Sequence, residues 1–364
     1  MITFILDDTV DMLGELPANL VTRILDTVDN SKRNDINLLL NYPDDSAGKY
    51  HDYRICSTEK RHDRARCHAP HQGRTASNKE TIYTCYVLER RKLIGIVTAK
   101  DLMTMDDDTK IGDIMETELI SVHTHTDQEE AARLFSKYDF LALPVLDADG
   151  LMVGIITVDD AIDVVVDEAT EDMTVMAAVT PSEKSYFDTS VFAHAKNRFV
   201  WLLVLMFSAT ITGTIITRYE NAFAAVPLLV SFIPMLMDTG GNCGSQSSTL
   251  IIRGLALDEI KFKDIFRVIF KEFRIALLVG IGLAIANGIR IFIMYKDLKM
   301  AIVIALSLSL IVIIAKIIGC TLPLFAKKLH MDPAIMASPL ITTVVDTCSI
   351  MIYFSIATRV FTLS

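Results

Sequence analysis

The apolar stretch ASPLITTVVDTCSIMIYF, residues 337–354, carries one carboxylate, Asp346. A carboxylate at the centre of a membrane span costs roughly 3 kcal/mol on insertion scales, so it usually faces a polar pathway. Ser338 and Thr342 precede Asp346 at spacings of four residues, which places the three side chains on one helical face. Hydroxyls and one acid suit a hard, hydrated cation better than a soft metal. The alternative is a protonated Asp346 that only ties two helices together.

A second polar stretch, MDTGGNCGSQSS (237–248), follows the uncharged segment AFAAVPLLVSFIP (222–234). Two prolines and adjacent glycines in such apolar surroundings predict an irregular backbone. In lipid, an irregular backbone is tolerated only where protein covers it or where it lines a water-filled cavity. The stretch therefore predicts a pore or a binding site.

Composition divides the 364-residue chain into a charged, acidic part (1–197) and a part rich in Leu, Ile, Val, Ala and Phe (198–364). This division predicts a soluble part followed by a membrane part. The predicted spans cover roughly 198–217, 222–250, 273–295, 300–326 and 337–361. Lys and Arg cluster between the second and third spans, which predicts a multi-pass protein of the cell membrane with a cytosolic N-terminus.

The net charge of −10 argues against nucleic acid as a partner and suits a face that binds cations. The six cysteines are scattered along the chain, so a disulfide framework is not expected. The N-terminus lacks the basic and apolar regions of a signal peptide, so the acidic part is expected to stay in the cytosol.

The stretch VDDAIDVVVDEATEDMTVMAAV (158–179) repeats acidic residues at helical spacing. One face would carry Asp160, Asp163, Asp167 and Glu171, with Glu168 and Asp172 beside them. Like charges four residues apart destabilise a helix by about 0.2–0.5 kcal/mol per pair. Such a face is costly unless cations neutralise it, which predicts a cation sensor just before the first span. The alternative is a solvated acidic face.

Two stretches repeat, VLERRKLIGIVTAKDL (87–102) and VLDADGLMVGIITVDDA (145–161). They resemble a pair of CBS motifs, which often hold an adenine nucleotide between them. In that family a Thr and an Asp after the last strand usually face the ribose. The matching positions are Thr98 with Asp101 and Thr157 with Asp160. The alternative is that both pairs only shape a turn between strand and helix.

The segment 51–74 holds His51, Cys56, His62, Cys67, His68 and His71. This spacing fits no standard zinc finger, so we reject a zinc site. The segment lies where the first half of the first CBS repeat is expected, and it lacks apolar periodicity. We interpret 51–76 as out of frame, with a frameshift near Lys49 and a compensating one near Arg74.

With these motifs in view, the chain resembles the MgtE family of magnesium channels. The resemblance rests on P-x6-P-x3-D-T-G-G-N-x-G-x-Q (227–246), DPAIMASPLITTVVD (332–346) and TVDDAIDVVVDEATED (157–172). It implies a homodimer with five spans per subunit, of which the second and fifth line the pore, and a "plug" helix that connects the CBS pair to the pore. It also implies a cytosolic magnesium sensor, so magnesium would be both transported and regulatory.

By matching position, Asp346 would hold hydrated magnesium, and Gly240, Gly241 and Asn242 would shape the pore near it. The implied sensor ligands are Asp127, Glu129, Asp139, Asp160, Asp163, Glu168, Glu171, Asp172 and Asp332. The family's N-terminal helical domain is longer, and residues 7–25 resemble only its last part.

The predicted fold is therefore multi-domain. It comprises a partial N-terminal helical domain (1–48), an α/β CBS pair (49–165), a long connecting plug helix (166–196) and an all-α pore domain of five spans (197–364). Expected partners are membrane lipid and a second copy of the chain, with ATP or another adenine nucleotide as the ligand of the CBS pair.

Three other classes compete with a magnesium channel. A CBS-regulated channel for another ion, such as an anion, would need basic or amide-rich filters, against which the mid-span Asp346 argues. An intramembrane metalloprotease needs an HExxH helix, and His330 lies in no such pattern, so an enzyme is not expected. A membrane-bound magnesium sensor without transport stays open.

Overall fold

The computed structural model describes residues 13, 16, 18–25, 28, 30–43, 45–53, 55–62, 81–182 and 185–362. The chain forms two compact units, Met1–Glu168 and Ala169–Ser364. Each unit is described by itself below.

Two short helices are described near the start of the first unit, α1 (Ala18–Leu25) and α2 (Asn30–Leu39). Leu25, Ile36 and Leu39 are buried together with Leu13, because each helix turns its apolar residues to the other. The chain then pairs with the second CBS motif, where the amide of Ala47 donates to Thr126 O at 2.8 Å.

The two CBS motifs have the same strand order. In the first, β1 (Ser57–Thr58) runs parallel to β2 (Thr84–Glu89), which is antiparallel to β3 (Lys92–Thr98). In the second, β4 (Val122–His123), β5 (Ala142–Leu146) and β6 (Met152–Thr157) repeat this arrangement.

The helices of the CBS pair within the described residues are α3 (Ala99–Thr104), α4 (Ile111–Ile114), α5 (Gln128–Tyr138) and α6 (Val158–Met176). The register shifts at Val87/Leu88 in one sheet and at Val145/Leu146 in the other, which are matching positions of the two repeats. The predicted repeat of 87–102 and 145–161 is therefore confirmed.

Residues 51–62 take part in the CBS pair. Asp52 pairs with Ile155 through two backbone hydrogen bonds, and Cys56 is buried next to Cys85, with 3.4 Å between the sulfurs. Cys67, His68 and His71 lie outside the described residues. The frameshift stays a hypothesis, but the segment buries more than its lack of apolar periodicity predicted.

The connecting helix differs from the predicted bounds of 166–196. Helix α6 begins earlier, directly after β6, and ends at Met176. Ala178 has a left-handed backbone with φ of 54°, and Pro181 follows. A left-handed residue ends a helix, and a proline disfavours helical backbone in the residue before it, so the helix stops well before 196.

The second unit is a bundle of helices. Its members are α7 (Val191–Thr217), α8 (Glu220–Ala225), α9 (Ile233–Ala256), α10 (Ile265–Tyr295), α11 (Leu298–Lys328) and α12 (Ser338–Val360). A 3-10 helix, Pro227–Phe232, precedes α9, and another, Pro333–Met336, precedes α12.

Within the described residues, four helical segments are long and apolar enough to cross a membrane, and they contain α7, α10, α11 and α12. Helix α9 is long enough to cross a membrane, but its polar side chains make it less apolar than these four segments. The count of five spans therefore stays a prediction. Half of the residues in the most apolar part of α11 are buried inside the bundle, whereas only 6% of those in the most apolar part of α7 are buried. Helix α11 is therefore central and α7 peripheral.

The prediction of an irregular backbone over 237–248 is wrong, because this stretch is helical throughout α9. A Cβ on Gly240 would lie 2.8 Å from Ile311 Cγ2 and 2.9 Å from Ser349 Oγ. A Cβ on Gly244 would lie 2.8 Å from Ile341 Cγ2. These glycines let neighbouring helices approach closely, as small residues do between membrane helices, rather than break the helix.

Candidate functional site

Asp346 lies in the middle of α12 and is half-buried. A second carboxylate, Asp238, lies on α9. Because α9 and α12 pack against each other, the exposed Asp238 and the half-buried Asp346 lie on neighbouring helices. A cation between two such helices would offset the repulsion between their carboxylates.

Helix α9 presents a polar face that the rest of its subunit leaves exposed. Asp238, Asn242 and Gln246 follow one another at spacings of four residues and are all exposed. The opposite face, with Gly240, Gly244 and others, is buried against α11 and α12. The carboxylate, amide and carbonyl oxygens of the exposed face are ligands that suit Mg²⁺ or its water shell.

Hydrogen bonds between elements hold α9 and α12 in place. The hydroxyl of Tyr353, on α12, donates to Leu229 O at 2.9 Å, in the 3-10 helix that leads into α9. Ser248, on α9, donates to Met336 O at 2.8 Å, just before α12 begins. Thr212 on α7 and Thr347 on α12 share a hydrogen bond of 2.8 Å. These contacts fix the helix that carries Asp346 at several points along its length.

The other predicted pore residues lie on the same two helices. Thr342 donates to Pro339 O at 2.9 Å, and its methyl group faces Gly241, where a Cβ would lie 2.9 Å from Thr342 Cγ2. Ser338 begins α12, but its side chain lies outside the described residues. The structure thus places Gly241 and Thr342 together, whereas Asn242 points away from this contact and is exposed. Their roles in a pore stay predictions.

Three predicted sensor ligands lie at the ends of α5. Asp127 caps the start of α5 by accepting a hydrogen bond from the amide of Glu129 at 2.9 Å. Glu129 forms an ion pair with Arg133. Asp139 ends the helix in a left-handed conformation, with φ of 55°. Asp332, in the second unit, caps the 3-10 helix before α12 by accepting from the amide of Ala334 at 2.8 Å.

The acidic residues of α6 have different surroundings. Asp163 and Glu171 are exposed, and Asp172 is half-buried. Glu168 accepts a hydrogen bond of 2.6 Å from Gln128. The side chain of Gln128 is buried, and this residue stands between Asp127 and Glu129 in the sequence. Among the described residues, no three His, Cys, Asp or Glu side chains gather in a way that could hold a metal ion. The predicted sensor ligands among the described residues therefore form no such cluster, and their role as ligands stays a prediction.

The Thr–Asp pairs of the two CBS motifs have the same geometry. Thr98 Oγ1 donates to Asp101 at 2.6 Å, and Thr157 Oγ1 donates to Asp160 at 2.5 Å. The backbone amides of Thr98 and Thr157 also donate to these carboxylates, at 3.1 and 3.2 Å. Thr98 and Asp101 form a capping box at the start of α3, and in both pairs the hydroxyl and the carboxylate already bond to each other.

Burial shifts two titratable groups next to the second CBS motif. The pKa of His51 is lowered because the ring is buried, although the hydrogen bond between its Nδ1 and Gly48 O, 2.6 Å long, and the charge of Asp52 act in the opposite direction. The pKa of Tyr42 is raised by burial and by the charge of Asp147. His51 packs edge-on against Tyr42, with 5.7 Å between ring centres.

Known proteins match the chain along almost its whole length. The MgtE divalent cation transporter model matches residues 233–356, which begin with α9 and end in α12. A CBS domain model matches residues 111–167, and an MgtE intracellular N domain model matches residues 4–45. The magnesium transporter MgtE of Bacillus subtilis is 38% identical over 353 residues, which cover 97% of this chain and 78% of that protein.

The chain belongs to the MgtE family of magnesium transporters. The MgtE of Thermus thermophilus is 36% identical over 362 residues, covering 97% of this chain and 79% of that protein. A crystal structure of the soluble part of a magnesium transporter is 36% identical and has a TM-score of 0.44, covering 46% of this chain and 65% of that one. The MgtE relatives are transporters, not enzymes.

Two features of this MgtE chain were not predicted from its sequence. Asp238 stands four residues before Asn242 in the same polar stretch, and this spacing was the available signal. The buried contact of Ser247, Glu272 and Lys316 was also missed. The signal was a lone lysine inside the apolar run of α11.

Proposed function

We propose that the chain is a homodimeric magnesium channel in which α9 and α12 line the pathway, with five spans per subunit and a cytosolic N-terminus. The observation that carries this proposal is the half-buried carboxylate of Asp346 in the middle of α12, a helix that packs against α9 with its exposed polar face of Asp238, Asn242 and Gln246. A carboxylate at such a depth is costly unless it serves an ion pathway.

A second copy of the chain would account for the exposed face of α9. Polar side chains cannot face lipid cheaply, so Asp238, Asn242 and Gln246 need water or protein beside them. Two copies that bring these faces together would enclose a water-filled path lined by carboxylates and amides. Magnesium dehydrates reluctantly, so a path that contacts its water shell can select it without stripping it.

Uptake by the purified chain tests the transport step. The full chain is reconstituted into liposomes that contain a magnesium-sensitive dye, and uptake is followed with and without an imposed membrane potential. Magnesium uptake above that of empty liposomes supports the proposal. A preparation that binds magnesium but gives no flux would favour the magnesium sensor without transport, and flux of another ion alone would favour the channel for a different ion.

We also propose that cytosolic magnesium closes the channel through the acidic residues of α6. Exposed acids such as Asp163 and Glu171 repel one another at low magnesium, and bound divalent ions would offset that repulsion. Moving a gate from mostly open to mostly closed needs about 5 kcal/mol, which several shared ions can supply and one surface pair, at about 0–1 kcal/mol, cannot.

Patch-clamp recording tests the gating proposal. Replacing Asp163, Glu168 and Glu171 with Ala should leave the channel open at high internal magnesium. A matched triple variant at the exposed acids Asp106, Asp108 and Glu118 removes the same charge and should close normally. Identical closing curves for the first variant and the wild type would contradict the sensor.

ATP or another adenine nucleotide is proposed as a ligand of the CBS pair on the resemblance of its Thr–Asp pairs. Because Thr157 and Asp160 already bond to each other, a nucleotide would have to share these groups. Calorimetric titration of ATP into the full chain and into Asp160→Asn tests this. Equal affinities would show that the pair only caps α6.

A further inference from the structure

A buried polar network joins three helices of the bundle. Ser247 on α9 donates a hydrogen bond of 2.6 Å to Glu272 Oε2 on α10. Lys316 Nζ on α11 donates to Ser247 Oγ at 3.2 Å and lies 3.9 Å from Glu272 Oε2. Ser247 is fully buried, and Glu272 and Lys316 are 6% and 5% exposed. The serine hydroxyl thus stands between a carboxylate and an ammonium.

The position of Lys316 gives this network a high desolvation cost. It lies inside the long apolar helix α11, twelve residues or about 18 Å from the C-terminal end of that helix. Apolar side chains of similar volume are often at least as stabilising as a buried ion pair. Ionisable groups at such depths usually mark a functional element, and here the groups in contact with Lys316 are Ser247 and Glu272. Stability alone therefore does not explain the network.

The network acts on the helix that carries the exposed polar face. Ser247 follows Gln246 directly, and successive residues of a helix point about 100° apart, so one faces the network while the other is exposed. One turn earlier, α9 touches α11 backbone to backbone, since a Cβ on Gly319 would lie 2.2 Å from Gly244 O. The close approach fixes the distance between the helices, and the network fixes the rotation of α9 about its axis.

We propose that Glu272 and Lys316 are positioning residues for cation permeation, which hold Ser247 and thereby set the direction in which α9 presents Asn242 and Gln246. This inference rests on the proposed magnesium pathway. Neither charged group is exposed to that pathway, so both act through α9 rather than on the ion.

Single-channel recording of the full chain in planar bilayers tests this role, because conductance and permeability ratios do not depend on how many molecules fold. Ser247→Ala removes the central hydroxyl. The matched control is Ser307→Ala on α11, also fully buried, whose Oγ has no hydrogen-bond partner among the described residues. Ser247→Ala should lower the permeability of Mg²⁺ relative to K⁺ about tenfold, the factor for about 1.4 kcal/mol, which is close to the lower end of the net contribution of one hydrogen bond to a charged group. Ser307→Ala should keep the wild-type ratio.

Two substitutions of the lysine separate charge from packing. Lys316→Met keeps most of the volume and should behave as Ser247→Ala does, whereas Lys316→Arg keeps the charge and should retain the wild-type ratio. Wild-type ratios in Ser247→Ala, or equal losses in Lys316→Arg and Lys316→Met, would overturn the positioning role while leaving the pathway intact. A wild-type chain that conducts no magnesium would overturn the pathway and this inference together.

Discussion

Gly241→Ala perturbs the contact between α9, which carries Asp238, and α12, which carries Asp346. The added Cβ would lie 2.9 Å from Thr342 Cγ2, about 0.6 Å closer than an optimal contact between carbon atoms. Overpacking of this kind costs about 1–3 kcal/mol. Alanine recovers about 1 kcal/mol of helix propensity over glycine. The net expectation is a loss of about 1 kcal/mol, or about 2–4 °C in melting temperature for a unit of this size.

The chain offers both a rescue and a control for this substitution. Thr342→Ser removes the methyl group that the new Cβ meets and keeps the hydroxyl, so Gly241→Ala with Thr342→Ser should regain the lost stability. Gly282→Ala adds a Cβ on α10 where no atom lies within 4 Å, and it should not lower the melting temperature.

Thermal unfolding in detergent and magnesium uptake in liposomes are measured for all four proteins. Gly241→Ala should reduce uptake because it moves α9 relative to α12 one turn from Asp346. A melting temperature for Gly241→Ala equal to that of Gly282→Ala, or a double variant no better than the single one, would refute the packing of α9 on α12.

Three further predictions concern other parts of the chain. Burial lowers the pKa of His51 in the folded chain below its usual 6.5, so the stability that is present above pH 6.5 is lost as the pH falls towards the folded-state pKa. His51→Gln should therefore flatten the fall in melting temperature between about pH 7 and 5. His125→Gln, at an exposed ring, should not. Restoring the inferred frame of 51–74 should raise the melting temperature of the CBS pair, and genomic reads that confirm the written frame would contradict the frameshift. Tyr353→Phe leaves the buried carbonyl of Leu229 without its donor and should cost about 1–3 kcal/mol in unfolding experiments, whereas a neutral result would remove this contact from the account.

Local patterns predicted the parts of the fold that are set by neighbouring residues. The CBS repeat was visible because VLE and VLD precede matching strands, and the shared register shift and Thr–Asp caps follow from that local similarity. The long apolar runs predicted α10, α11 and α12 for the same reason, with ends that differ by at most eight residues from the predicted ones.

Contacts between distant segments were not visible in the sequence. The glycines of α9 wrongly predicted a break in the helix. The helices that fill the space beside Gly240 and Gly244 come from 60 or more residues away, so the local sequence did not reveal them. Tertiary packing overrides the weak local preference of glycine there. For the same reason Asp346 was recognised as a site residue but its neighbour Asp238 was not. The contact between Glu272 and Lys316 likewise depends on how α10 and α11 pack.

Magnesium uptake by Asp346→Ala shows whether magnesium passes between α9 and α12. The variant is reconstituted beside the wild type and beside Glu259→Ala, which removes an exposed carboxylate from the loop between α9 and α10. If α9 and α12 line the pathway, Asp346→Ala falls to the uptake of empty liposomes, although its melting temperature stays close to that of the wild type, and Glu259→Ala transports normally. Wild-type uptake by a folded Asp346→Ala would contradict the claim that magnesium passes this carboxylate.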